Sequence, residues 1–296
     1  MTATQAGQPA MDPEDGGQGN AGTDQIAFGR DAAGARPARD ARGDAHAAER
    51  IAALRARLMT PMPDDRLWGW LGPLIVTAFA AFTRFYRLSI PHAVVFDETY
   101  YAKDAWSILQ HGVEWQYVKN ANDLILAGNT SHLYLACSGT SCGEYVVQPP
   151  VGKLLIAVGE WIYGLTPLGW RVAPALFGTL AVLVMCRVAR RLTRSTLLGC
   201  VAGLLLSLDG LEFVLSRTGI LDIFLMFFVL AAFGAMLVDR DVSRARLASA
   251  MVLEPSDEAG PQLGIRKWRI AAGVLIGLAC GATCAARWCG TVSGCR

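Results

Sequence analysis

The chain has 296 residues, 53% of them hydrophobic and 18% charged, with a formal net charge of +2. That composition is too apolar for an ordinary soluble domain, and the charge is too small for a protein that grips nucleic acid through phosphates. The apolar residues gather after position 67, so the class is a membrane protein, and the distribution of charge says more than its sum.

Residues 1–66 read as a cytoplasmic tail. Up to position 48 they are rich in Ala, Gly, Asp, Arg and Gln with almost no large apolar side chain, too little to offset chain entropy, so disorder is predicted. The pattern AERIAALRARL over 48–58 suits a short amphipathic helix at the membrane surface, and equally a solvated linker helix. The start, MTATQAGQPAMDPEDGG, has neither a basic n-region nor an apolar h-region, so the first span is expected to do the targeting.

Residues 67–296 form the membrane domain. A span needs roughly 20 mainly apolar residues, and 68–85 is the first, with tryptophans at its start and Arg84, Tyr86 and Arg87 at its end. A polar stretch over 89–150 follows, too long for a simple turn. Positions 153–165, carrying Glu160, are short for a crossing and read as an interfacial helix. The second span, 172–186, leads into Arg187, Arg190, Arg191 and Arg194, which the positive-inside rule places in the cytoplasm. The loop at 89–150 is then external, in keeping with its content of two lysines against Asp97, Glu98, Asp104, Glu114, Asp123 and Glu144. Further spans are expected at 197–208, 223–238 and 270–286. A cytoplasmic loop separates the last two, and the ending RWCGTVSGCR suggests an interrupted chain. The expected architecture is thus an all-α polytopic bundle of four or five spans, with interfacial helices in its long first loop.

None of the eight cysteines shows the CxxC spacing of a structural zinc site, and no metal is expected. Cys137 and Cys142 lie in the external loop, where a disulfide and two free thiols are both open.

Four clusters could carry chemistry, and the topology puts all of them on the external face. Asp97 and Glu98 sit in FDETYYAK, two carboxylates and then Tyr100 and Tyr101 just beyond a span end, where charge is costly unless used or paired; an acidic aromatic belt at the headgroups is the plainer reading. Lys153 follows two prolines that force an extended entry; it either serves a site or snorkels. Arg171 could likewise snorkel, or grip a phosphate bidentately. Asp209, Glu212, Arg217 and Asp222 share one external turn, where membership of a site and a plain Arg217–Asp222 pair are both open. One shared site explains all four most economically.

The segments FDETYYAKDAW, PPVGKLLIAVGE, GWRVAPALFGTLAV and LSRTGILDIFLMFF, in this order, resemble the protein O-mannosyltransferases that use dolichyl- or polyprenyl-phosphate-mannose, within the glycosyltransferase C superfamily. The resemblance implies that Asp97 is the general base for a Ser or Thr hydroxyl and that Glu98 orients acceptor and donor. It implies that Arg171 and Lys153 hold the donor phosphate, with Asp222, Tyr100 and Tyr101 in support. It further implies inverting transfer of mannose from polyprenyl-phosphate-mannose to secreted polypeptides bearing Ser or Thr, met at the translocon, by a multi-pass cell-membrane enzyme needing no cofactor. Gln148 stands where many relatives have histidine, and the likeness fades after Cys280. Two other functions share part of this pattern. A sister lipid-linked glycosyltransferase would act on a glycolipid, and a transporter or scaffold would carry its charges in mid-span, whereas here they sit at span ends.

Overall fold

The computed structural model describes residues 41–58, 63–136, 143–144, 146, 148–253 and 264–283. The disorder expected before residue 41, and Cys137, Cys142, Cys284, Cys289 and Cys295, lie outside the described residues. Residues 1–48 and 49–296 are two separate units. Helix α1 (Ala41–Leu58) takes in the amphipathic pattern and begins at Ala41, inside the stretch expected to be disordered.

The described part of the larger unit is helical, with two isolated β-bridges, Trp115 to Gly143 and Tyr117 to Tyr134. The five expected spans fall on helices, the last as far as the described residues go: α2 (Trp68–Phe85), α6 (Pro167–Thr193), α7 (Thr196–Leu208), α9 (Asp222–Leu253) and α10 (Lys267–Thr283). By length and composition α6 and α9 can each cross a membrane, and α7 with α8 (Gly210–Arg217) makes a third if the pair, bent by 63°, is one broken span. Helices α2 and α10, at 18 and 17 residues, are shorter than the roughly 20 of a typical crossing.

Several boundaries move for local reasons. The interfacial helix, α5 (Pro150–Tyr163), starts at Pro150, a residue whose fixed φ and missing N–H suit a first helical position. Helix α6 begins at Pro167, ahead of the expected 172, because Thr166 accepts a hydrogen bond from Gly169 N at 3.2 Å. It continues through Arg187, Arg190 and Arg191, so these arginines ride on the helix and are not in a loop. Helix α9 likewise runs on to Leu253 through the first part of the expected loop, there being no Gly or Pro between Asp239 and Leu253 to stop it. The expected external turn after Leu208 folds as α8, its N-terminus capped by Asp209, whose carboxylate accepts from Glu212 N at 2.9 Å.

Helix α6 is central: α2, α5, α7, α8 and α9 all pack on it, and α10 packs on α9 and α5. Close approach depends on glycines. A Cβ on Gly159 of α5 would overlap the Gly169 carbonyl of α6, and one on Gly203 of α7 would overlap Cys186 Sγ. Gly199 and Gly203 form the small-xxx-small spacing that brings membrane helices together. The first loop is folded, with α3 (Glu98–His111) and α4 (Ala121–Leu126). Its Ala102, Ala105, Ile125 and Leu133 share a core with Ile156, Trp170, Ile223 and Phe224.

Candidate active site

The entry to α3 is set by Phe96, at φ +50°, in the left-handed region that a bulky side chain rarely adopts. Immediately after it, Asp97 occupies the position before the helix. It is exposed and makes no side-chain capping bond.

Glu98, one residue on, is fully buried. Its Oε1 accepts from Arg171 Nε at 2.7 Å and Gly219 N at 3.0 Å, and its Oε2 accepts from Arg171 Nη2 at 2.8 Å and Val95 N at 2.9 Å. Four bonds saturate a carboxylate. One side chain thereby ties the start of α3 to α6 and to the link between α8 and α9. The remaining N–H groups of Arg171 go to backbone carbonyls, Leu88 at 3.4 Å, Pro91 at 2.9 Å and Ala93 at 2.8 Å. All five guanidinium donors are thus engaged and the residue is 1% exposed.

Lys153 is also buried, with Nζ 2.8 Å from Asp104 and 2.9 Å from Glu114. It does not snorkel. Burial pushes the Asp104 and Glu114 carboxyls up even though the ammonium opposes it. Nearby, Glu160 of α5 is buried with neither carboxylate oxygen hydrogen-bonded among the described residues. Burial, reinforced by Asp104, raises it well above the usual range, which favours the neutral form.

Asp222, exposed at the start of α9, converges on Asp97 through Tyr101. Burial raises the Tyr101 hydroxyl to about 12, and the charges of Asp97 and Asp222 add to the shift. Tyr100 is exposed on the same helix. Arg217 does not pair Asp222. Its Nη1 donates to the carbonyls of Thr83, Arg84 and Tyr86 at 2.7, 3.2 and 2.9 Å, and its Nη2 to that of Arg87 at 3.3 Å, capping the end of α2, where helical carbonyls lack partners. Arg84, read in the sequence as a span-end charge, is buried and paired with Glu212, donating also to Ser207 Oγ at 3.3 Å. The four clusters are therefore one connected end of the bundle. Asp97, Tyr100 and Asp222 face outward, and Glu98, Arg171 and Lys153 lie behind them. Among the described residues, no group of three or more His, Cys, Asp or Glu is placed to share a metal ion.

The family described as Dolichyl-phosphate-mannose-protein mannosyltransferase matches residues 74–292, nearly the whole membrane domain and every residue of this end. The chain belongs to that family. It is 43% identical over 240 residues to a polyprenol-phosphate-mannose–protein mannosyltransferase of Mycolicibacterium smegmatis, covering 78% of this chain and 41% of that one. To the protein of the same name from Mycobacterium tuberculosis it is 44% identical over 234 residues, covering 77% and 40%. It spans about two fifths of the length of these curated relatives. The fold is shared with an S. cerevisiae protein O-mannosyltransferase complex bound to its sugar donor. That match has a TM-score of 0.53 at 19% identity and covers 79% of this chain and 27% of the yeast chain.

The sequence picked out Asp97, Glu98, Lys153, Arg171 and Asp222, and the fold gathers them at one end. Sequence reasoning missed the parts of Glu160, Asp104 and Glu114. A carboxylate on the apolar face of a short helix, Glu160, was the one signal available for that buried group.

Proposed function

We propose that this chain carries the acid-lined catalytic centre of a polyprenyl-phosphate-mannose–protein mannosyltransferase. The observation that carries this reading is the division of labour between two adjacent carboxylates: Asp97 is exposed and unbonded, and Glu98 is buried and saturated. A general base needs an accessible oxygen in reach of the proton it removes, and Asp97 supplies it. The acceptor Ser or Thr oxygen attacks the mannose anomeric carbon, and its proton passes to Asp97. The bond from that carbon to the phosphate oxygen breaks, and polyprenyl phosphate leaves with the electron pair. Attack opposite the leaving group inverts the anomeric centre. A phosphate monoester leaves as an anion without a proton donor, so the reaction calls for no cofactor.

Glu98 and Arg171 act in this reading as positioning residues. With every donor of Arg171 engaged, the pair holds the α3 entry in register and does not grip the donor phosphate. Lys153 plays the same part for the far side of α3 through Asp104 and Glu114. Asp222, Tyr100 and Tyr101 complete the wall around Asp97. The acidic end is the extracytoplasmic one and the arginine-rich end the cytoplasmic one, in accord with the positive-inside rule, in a multi-pass cell-membrane protein acting on secreted polypeptides at the translocon.

The test supplies membranes containing the chain, and in parallel a full-length relative bearing the same residues, with polyprenyl-phosphate-mannose and a Ser/Thr-rich peptide. Mannosyl-peptide is expected from the competent enzyme, and Asp97→Asn should abolish it. Transfer to lipid but not to peptide, or full activity in Asp97→Asn, overturns the reading.

A further inference from the structure

At the other end of the bundle, α9 and α10 enclose a groove of about 720 Å³. We propose that it holds an anionic phospholipid, with the phosphate among Arg240, Arg244 and Arg269 and an acyl chain against Phe233, Met236 and Ile276. It is separate from the Asp97 end: Arg240 lies 18 residues along α9 from Asp222, about 27 Å at the helical rise.

Three observations support this occupant. The first is the pattern on both walls. On α9, positions 233, 236, 240 and 244 share one face at helical spacing, and on the α10 side 269, 273 and 276 do the same. Each wall is apolar toward the middle of the bundle and arginine-bearing toward its end, the profile of a lipid chain running up to its headgroup.

The second is charge. Arg191, Arg194, Arg240, Arg244, Arg266 and Arg269 gather around two carboxylates, Asp239 and Asp241. Asp241 is shared by Arg191 at 3.1 Å, Arg194 at 3.3 Å and Arg240 at 3.1 Å. Asp239 is shared by Arg266 and, at 3.6 Å, Arg269. Among the described residues, six guanidinium groups against two carboxylates leave an excess that a phosphate would neutralise, and Arg244 is exposed with no side-chain partner there. Arginine forks suit phosphate oxygens, and basic pockets between membrane helices attract anionic headgroups.

The third is the open floor. A Cβ added at Gly273 would meet nothing within 4 Å, and Met236 and Ile276 are exposed beside it. Free phosphate would use the arginines and leave this apolar slot unfilled, so the shape favours a lipid.

The experiment titrates the delipidated full chain in detergent with phosphatidylglycerol or phosphatidylcholine and counts retained lipid by native mass spectrometry. Phosphatidylglycerol should be retained about ten-fold more than phosphatidylcholine, and Arg244→Gln with Arg269→Gln should remove that preference. Gly273→Phe, which fills the slot without touching a charge, should also lower retention about ten-fold, while millimolar inorganic phosphate should not displace the lipid. Circular dichroism checks that each variant is folded. Equal retention of both lipids, or unchanged retention in the double arginine variant, overturns the proposal. So does a Gly273→Phe variant that binds like the parent, since the site would then take a phosphate without a chain. The readout is lipid, not mannosyl transfer, so failure here is distinguishable from failure of the catalytic reading.

Discussion

The two ends of the bundle treat charge in opposite ways. At the Asp97 end the cations Arg84, Lys153 and Arg171 are buried and each is ion-paired, and the carboxylates Asp97 and Asp222 are left at the surface. At the other end Asp239 is buried, and several partly exposed arginines stand around it and the partly buried Asp241. In the two proposals made above, the sign left over at the surface, not the number of ion pairs, sets what each end holds: a hydroxyl that must lose a proton at one, an anion at the other. The difference also bears on stability. A buried pair is costly to break because the survivor is stranded away from water, whereas a shared surface pair is readily replaced by its neighbours.

The sharpest way to break the contrast is at the exposed acid. Asp97→Asn in a competent enzyme should lower mannosyl transfer by roughly 10²–10⁴-fold with an unchanged thermal unfolding midpoint. A shifted midpoint would make Asp97 a structural residue like Glu98.

Next in size come the buried partners. Glu98→Gln and Arg171→Met should each cost about 3–5 kcal/mol, because each leaves the other group unpaired in the interior, measured by unfolding in detergent. The double variant Glu98→Leu with Arg171→Met should cost less than the two singles added together. Simple additivity would show that the two side chains do not act as a pair.

A smaller loss is expected from Arg217→Ala, roughly 1–3 kcal/mol for uncapped carbonyls at the end of α2. Amide exchange should speed up at residues 82–88, and if it speeds up elsewhere instead, the capping role is wrong. At the arginine-rich end, Arg191→Gln should change stability by less than about 1 kcal/mol, since Asp241 keeps Arg194 and Arg240. A loss as large as that of Arg171→Met would erase the distinction between the ends.

The smallest effect is in pH. Burial lowers the Lys103 ammonium to about 8, against partial support from Glu144 and Asp104. Its folded value lies below its unfolded one, so the unfolded chain binds the extra proton between them, and stability should rise as pH climbs from about 8 toward 10. Above that window the raised Tyr101 hydroxyl works the other way, because the unfolded chain loses its proton first. Lys103→Met should flatten the rise, and a curve that keeps its slope in this variant would assign the rise to another group.

Much of this architecture was legible along the chain. Long apolar runs and the prolines at 149 and 150 mark helices and a helix start through interactions a few residues long, and the arginines from 187 to 194 mark one end of the bundle. Boundaries failed where a helix had no local reason to stop: Arg240 was read as a loop residue because charge suggests water, yet it stays helical. The candidate site divides in the same way. The motif around Asp97 and the resemblance it carries gave Asp97 and Glu98 different expected roles, but only packing shows that Glu98 is buried against Arg171 while Asp97 is exposed.

What the sequence by itself determined is the membrane class, the order of the helices and the end at which acids collect, because hydropathy and helix signals act locally. Only the tertiary structure decided which charges are engaged with one another. Glu98 and Arg171 are 73 positions apart and Arg84 and Glu212 are 128 apart. Whether a carboxylate is a base or a brace depends on the donors that packing brings to it, and no local pattern encodes them.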